Sequence, residues 1–277
     1  MGNCNSCPSK NNCNKQDTCT IDNNPNNKIK NIIGVMSGKG GVGKSTITSL
    51  IAKKLAKEGY KVGILDADIT GPSIPRLMGV QYERAFSNNG TDIYPIITKE
   101  NIKTMSVNFM VNDESQPVVW KGPLISNTIK QFYRDVMWEE LDYLLIDMPP
   151  GTGDVALTVM QSLPLTGMIM VSVPQDMISM IVAKGVNMAK MLNVNILGVI
   201  ENMSYIECPD CNKKIKLFDG EETETFLNEM NLDLLGELPM TREIVEITHK
   251  GCEEVSEELD KILNNIVEKI NNKLQKS

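Results

Sequence analysis

The stretch Asn31-Ile-Ile-Gly-Val-Met-Ser-Gly-Lys-Gly-Gly-Val-Gly-Lys-Ser-Thr46 decides the architecture. Asn31 to Met36 is a short apolar run that reads as a buried strand. The glycine-rich turn that follows, from Gly38 to Ser45, fits G-x4-G-K-[ST], and a helical pattern then runs from Ser45 to Gly59. A strand feeding such a turn, with a helix directly behind it, is the context in which the pattern binds phosphate. Phosphate oxygens need several converging backbone N–H groups, and glycines allow that close approach. Gly38, Lys39, Gly40, Gly41, Val42 and Gly43 therefore form the cradle, with Thr46 in the first helical turn behind it. Lys44 brings positive charge to the β- and γ-phosphates of ATP, and Ser45 offers a hydroxyl to Mg2+. The helix N-terminus adds its dipole.

Working outward, strand and helix patterns alternate. Lys61 to Asp66, Leu141 to Asp147, Gly167 to Val173 and Asn195 to Ile200 read as strands, and 92–108 as a pair of shorter ones. Helical patterns fall near 122–136, 176–192, 221–230, 241–250 and 253–275. The last carries Val255, Leu259, Ile262, Leu263, Ile266, Ile270 and Leu274 on one stripe. The alternation predicts an α/β fold, a doubly wound and mostly parallel sheet covered on both faces. Two strands end in acids. Asp147, after Leu144-Leu-Ile, is placed to hold the Mg2+ shell, and Asp68, just past the second strand, to orient an attacking water. Met148-Pro-Pro-Gly151-Thr-Gly-Asp154 reads as a switch that could sense the γ-phosphate.

The chain has 277 residues, with 28 basic and 35 acidic side chains and a net charge of −7. That balance argues against nucleic acid or anionic membrane as a main partner. No apolar run reaches the length of a membrane span and no secretory leader is evident, so a cytoplasmic protein is expected. Residues 1–30 are rich in Asn, Lys, Ser and Cys and cannot build a core; they are expected to be disordered without metal, ahead of a single domain over 31–277.

Seven cysteines, an odd number, fit metal or redox chemistry better than a disulfide framework. Cys208-Pro-Asp-Cys211 sits in a polar loop after a strand. It supplies two thiolates, whereas a cubane cluster or a tetrahedral zinc takes four ligands. A two-fold homodimer would bring four together, with the cluster bridged by Cys208 and Cys211 of both chains. A zinc clip and a redox pair are the other readings. Cys4, Cys7, Cys13 and Cys19 give four thiols in one tail, enough for one cluster or one zinc. Cys252 reads as structural, and His249 as a helix C-terminal residue.

With these residues in hand, the chain resembles the Mrp/ApbC family of iron–sulfur cluster carriers from about Ile32 to Gly251. The stretches that carry the resemblance are Ser37 to Thr46, Asp66-Ala-Asp-Ile-Thr-Gly-Pro-Ser73, Trp120-Lys-Gly-Pro-Leu124 with Gln131-Phe132, Asp142 to Asp154, and Gly198-Val-Ile-Glu-Asn-Met-Ser204 leading to Cys208. The loop with its additional Lys39 is similar to the deviant form of the MinD, ParA and nitrogenase iron-protein group, in which that lysine reaches the partner subunit's nucleotide. The resemblance implies a homodimeric ATPase that binds a 4Fe–4S cluster and transfers it to apo iron–sulfur proteins. It implies that Lys39, Lys44 and Asp68 serve hydrolysis and that Asn202 reads adenine. The C-x2-C-x5-C part of the tail resembles the N-terminal motif of eukaryotic scaffold relatives. One departure is Leu238-Pro-Met-Thr-Arg242, where the family carries an aspartate after Leu-Pro. The rival classes are a spatial-positioning ATPase resembling MinD or ParA, and an electron donor resembling the nitrogenase iron protein. The acids Glu253, Glu254, Glu257 and Glu258 at the start of the last helix disfavour lipid binding.

Overall fold

The structure, a computed structural model of the chain, describes residues 21, 23–69, 71–87, 90, 92–110, 122–177, 180–208, 210–211, 213–216, 220–250 and 255–276. Its strands are Lys28–Ser37 (β1), Val62–Asp66 (β2), Phe86–Ser87 (β3), Ile93–Tyr94 (β4), Ile96–Ile97 (β5) and Lys103–Met105 (β6), followed by Glu140–Asp147 (β7), Gly167–Ser172 (β8), Ile196–Glu201 (β9), Ile206–Glu207 (β10), Lys214–Ile215 (β11) and Leu234–Glu237 (β12). Its helices are Lys44–Lys57 (α1), Ile74–Leu77 (α2), Gly122–Asp135 (α3), Asp154–Ser162 (α4), Pro174–Met177 (α5), Met180–Met191 (α6), Gly220–Met230 (α7), Arg242–Lys250 (α8) and Glu257–Leu274 (α9).

Eight strands form one sheet in the order β12-β9-β8-β1-β7-β2-β6-β5, parallel throughout except where β5 meets β6. The strands flanking the central pair β1 and β7, β2 and β8, are buried along their whole length, as expected of a sheet covered on both faces. From β1 the chain crosses past β7 to β2, and from β7 it crosses the other way, past β1, to β8. Right-handed crossovers in opposite directions place α1 and α4 on opposite faces. The order reverses beside β1, so the crevice at the C-terminal ends of β1, β2, β7, β8 and β9 is the natural ligand position.

The first strand starts at Lys28, three residues before Asn31, and the backbone N–H of Ile21 reaches the Ser162 carbonyl at 2.9 Å. The segment just before β1 thus packs on the domain. The region read as a helix over 176–192 is helical in its described parts, Pro174–Met177 (α5) and Met180–Met191 (α6). The 92–108 region holds β4, β5 and β6, then a 3-10 turn over Val107–Met110. Strand β12 has no counterpart in the sequence reading: four residues between two helices give too little periodicity to detect.

Helix α9 is capped by Ser256, whose hydroxyl accepts from the Leu259 N–H, and buries Leu259, Leu263, Ile266, Val267 and Ile270. It covers β12 and α1. Gly236 of β12 lets it approach closely, since a Cβ there would meet Ile266 Cγ1 at 2.5 Å. Lys269 caps the exposed edge of β12 by donating to the Leu234 carbonyl at 3.0 Å, a common protection of an edge strand. Replacing Ile266 with Ala empties the contact between α9 and the sheet. The expected loss is about 2–5 kcal/mol of unfolding free energy, read from the urea midpoint of the metal-free protein.

Candidate functional site

The loop between β1 and α1 is shaped by two residues in the left-handed region, Gly41 and Gly43, both at φ 82°. Gly43 has a second reason to lack a side chain. A Cβ there would stand 2.3 Å from the Asn202 amide nitrogen, and that nitrogen donates to the Val42 carbonyl at 2.9 Å. Asn202, buried just past the end of β9, thus braces the loop from beneath; its Oδ1 is buried with no hydrogen-bond partner among the described residues. Helix α1 has no acidic side chain in its first turn, so its positive end is left to an anion.

Behind the loop lies a buried cluster of charges. Asp147, at the end of β7, is 0% exposed, and Lys44 is 6% exposed with its Nζ 2.8 Å from Asp147 Oδ1. Ser45 Oγ donates to Asp147 Oδ2 at 2.6 Å, and Thr48 Oγ1 reaches Asp147 Oδ1 at 3.0 Å while also donating to the Lys44 carbonyl. The hydroxyl of Ser45 and the carboxylate of Asp147 are hard oxygen donors of the kind that suits a divalent cation such as Mg2+. Asp68 Oδ2 stands 3.9 Å from Lys44 Nζ. The geometry therefore brings Lys44, Ser45, Asp68 and Asp147 together. Lys39 is exposed on the outer side of the loop.

Sequence reasoning gave no role to Asp66 or Thr48. Asp66 is buried at the end of β2, in register with Asp147; one oxygen accepts the Asp68 N–H at 3.1 Å and the other accepts from Ser106 Oγ at 3.2 Å. Burial, and then the charge on Asp147, push its carboxyl well above the usual carboxylate range. The signal available in the sequence was the spacing Asp66-Ala-Asp68, in which one acid ends the strand inside the core and the next turns out. Thr48 lies one helical turn after Lys44, on the same face. A cleft of about 880 Å³ opens over these groups, lined by the loop glycines, Lys44, Asp68, Asn108, Pro150 and Met203, ample for a nucleotide.

Past Asn202 the chain forms the antiparallel ribbon β10–β11, with Cys208 and Cys211 in the loop that joins its two strands. Cys208 is half-buried and Cys211 exposed, and both are free thiols. The Cys208 N–H donates to the Lys213 carbonyl at 3.0 Å. The backbone N–H of Asp210, then that of Cys211, hold the Cys208 thiol below its ordinary range. Among the described residues no group of three or more Cys, His, Asp or Glu side chains gathers as a metal site, so this pair offers two thiols per chain. Cys4, Cys7, Cys13, Cys19 and Cys252 lie outside the described residues. Among the described residues no helix is long and apolar enough to cross a membrane.

Comparisons with known proteins agree with this geometry. The ParA model described as "NUBPL iron-transfer P-loop NTPase" matches residues 28–275. An iron–sulfur cluster carrier protein of Clostridium perfringens is 47% identical over 266 residues, covering 91% of this chain and 93% of the relative. One from Methanocaldococcus jannaschii is 46% identical over 286 residues, covering 98% of each. Among solved structures, a nucleotide-binding protein of Archaeoglobus fulgidus in complex with ADP superposes with a TM-score of 0.70 at 39% identity, over 85% of this chain and 88% of that one. The cell division ATPase MinD of Pyrococcus furiosus shares the fold, with a TM-score of 0.60 at 21% identity, over 87% of this chain and 98% of that one. A phosphate loop, acids at neighbouring strand ends and a cysteine pair beyond β9 occur here in a chain matched almost end to end by such relatives. The chain belongs to the iron–sulfur cluster carrier family of ParA-type P-loop NTPases.

Proposed function

We propose that this protein is an ATP-binding and ATP-hydrolysing carrier that holds a 4Fe–4S cluster on Cys208 and Cys211 of two copies and passes it to apo iron–sulfur proteins in the cytoplasm. One observation carries the reading: an accessible Cys-x2-Cys pair stands on the ribbon that leaves β9 directly after the residue bracing the phosphate loop. Two thiolates are half of what a cubane cluster takes, and a two-fold axis through the pair doubles them. The exposure of Cys211, beside the half-buried Cys208, suits a cargo that must leave, since a ligand set at a subunit interface can be opened without unfolding either chain. The printed names of the relatives, "Iron-sulfur cluster carrier protein", support the same cargo.

On the nucleotide side, the N–H groups of the loop from Gly38 to Gly43 hold the phosphates, and Lys44 neutralises charge on the β- and γ-phosphates. Ser45 and Asp147 would hold Mg2+, which spreads the charge that develops on the transferred phosphoryl group. Asp68 orients the attacking water, and Lys39 reaches the nucleotide of the partner subunit. Asn202 reads adenine in addition to bracing the loop. Hydrolysis is slow and tied to cluster transfer. The tail cysteines Cys4, Cys7, Cys13 and Cys19 form a second metal centre.

Lys44→Ala removes a buried cation facing phosphate and is expected to weaken ATP binding by about 10- to 100-fold in calorimetry, with the fold retained by circular dichroism. Unchanged affinity would remove Lys44 from the site. Asp68→Asn keeps shape and loses the charge that orients water. It is expected to bind ATP like the wild type and to hydrolyse it about 100-fold more slowly in a phosphate-release assay. Equal rates would move that role to the switch near Asp154. The cluster is tested in the full chain with Cys4, Cys7, Cys13 and Cys19 replaced by Ser, because truncation near Lys30 would cut into β1. After anaerobic reconstitution, about two irons per chain are expected in a dimer. Adding Cys208→Ala removes two of four ligands at once and is expected to abolish cluster content rather than halve it. A monomer holding four irons, or a Cys208→Ala protein that keeps its cluster, rules out bridging.

A further inference from the structure

The segment 201–216 touches both ends of the candidate site. Asn202 holds the phosphate loop, and the ribbon with Cys208 and Cys211 follows. Met203, between them, lines the nucleotide cleft at φ 55°, a left-handed conformation uncommon outside glycine. Four further residues close this segment into a ring. Glu201, the last residue of β9, lies in register beside Glu237, the last residue of β12. Two carboxylates side by side on adjacent strands repel unless something stands between them.

Ser204 does so. Its Oγ lies 2.6 Å from Glu201 Oε2 and 2.8 Å from Glu237 Oε1, and Lys216 Nζ meets the same Glu237 oxygen at 2.6 Å. Glu201 is only 4% exposed, and its Oε1 has no hydrogen-bond partner among the described residues. Burial pushes the Glu201 carboxyl above its usual range. At Glu237 burial works the same way but is outweighed by Lys216 and Ser204, which hold the carboxyl below it. Of the two acids, Glu237 is thus the one held toward its charged form, facing Lys216. Lys216 is the first residue after β11, so the ribbon returns onto the acid pair from which its segment started. The backbone is tied at the same point, where the Leu238 N–H donates to the Glu201 carbonyl at 2.8 Å and the Ser204 N–H to the Leu238 carbonyl at 2.9 Å.

We propose that Glu237 and Lys216, acting through Ser204 and Glu201, are positioning residues that couple nucleotide occupancy of the phosphate loop to the placement of Cys208 and Cys211. The inference rests on the carrier reading for its purpose, but its geometry is a continuous chain of contacts: Val42 to Asn202, then Met203 and Ser204 to the acid pair, then Lys216 to the ribbon. A nucleotide pressing on the loop moves Asn202 or Met203, and the ring carries that movement to the cysteines instead of letting the ribbon lag behind. Coupling between two sites needs such an element, which both can bias, and it is reciprocal. An ion pair as exposed as Lys216–Glu237 adds little to stability, so its removal should change coupling while leaving the fold intact.

The test uses the full-length, metal-free, reduced chain and reads the ribbon by the alkylation rate of Cys208 and Cys211, resolved by peptide mass spectrometry. Saturating ADP with Mg2+ is expected to change that rate about fivefold in the wild type and in Lys216→Arg, which restores the cation. The response is expected to vanish in Lys216→Met and in Glu237→Gln, with ADP affinity unchanged. Wild-type rates that ignore ADP, or a response in Lys216→Met equal to that of the wild type, would overturn the coupling. Cluster content is measured separately and tests the carrier reading. A chain that takes up no cluster but keeps the ADP response would leave the coupling standing while that reading falls.

Discussion

A carboxylate with no solvent exposure must be paired or protonated, and Asp147 is the place where this chain meets that demand. Lys44, Ser45 and Thr48 all turn toward it, which fixes the first turn of α1 against the end of β7. Those contacts orient the glycine loop, because the loop is only the short connection between β1 and α1. Asp66, on the neighbouring strand, is pushed well above the usual carboxylate range, first by burial and then by the charge on Asp147. The acid nearest solvent, Asp68, keeps an orientation set by the Asp66 carboxyl through its own N–H. A buried charge thus dictates which groups face the cleft.

The second constraint is topological. Parallel strands present all their C-terminal ends on one edge, so residues far apart in sequence meet there without long loops. β1 delivers the loop, β2 and β7 deliver acids, and β9 delivers Asn202 and then the cysteine ribbon. The residue that braces the phosphate loop and the cysteine pair are consequently close in the chain. The phosphate loop and the cysteine ribbon are therefore joined by a few hydrogen bonds within one domain.

Much of this was legible in the sequence. Glycines at Gly41 and Gly43, Lys44 and Ser45 appear in an order that only a strand–loop–helix unit uses, because each residue type answers a local demand of phosphate binding. The apolar stripe of α9 and the acid ending β7 were equally plain, since helix periodicity and a charged end to an apolar run are local signals. Ligand counting at Cys208 and Cys211 also needed no coordinates.

Other features depend on register between distant strands, which no local pattern encodes. Asn202 braces Val42 across 160 positions of chain, and Glu201 meets Glu237 only because β9 and β12 pair in one particular register. The four-residue strand β12 is itself a tertiary product, held by β9 on one side and by α9 above it. Sequence determined the phosphate loop, the mostly parallel sheet and the thiol count, because those follow from residue type and spacing. Tertiary structure alone decided that Asp66 is buried, that Asn202 grips the loop, and that Lys216 returns to the acid pair. In each case the deciding contact lies between side chains that become neighbours only after the sheet has formed.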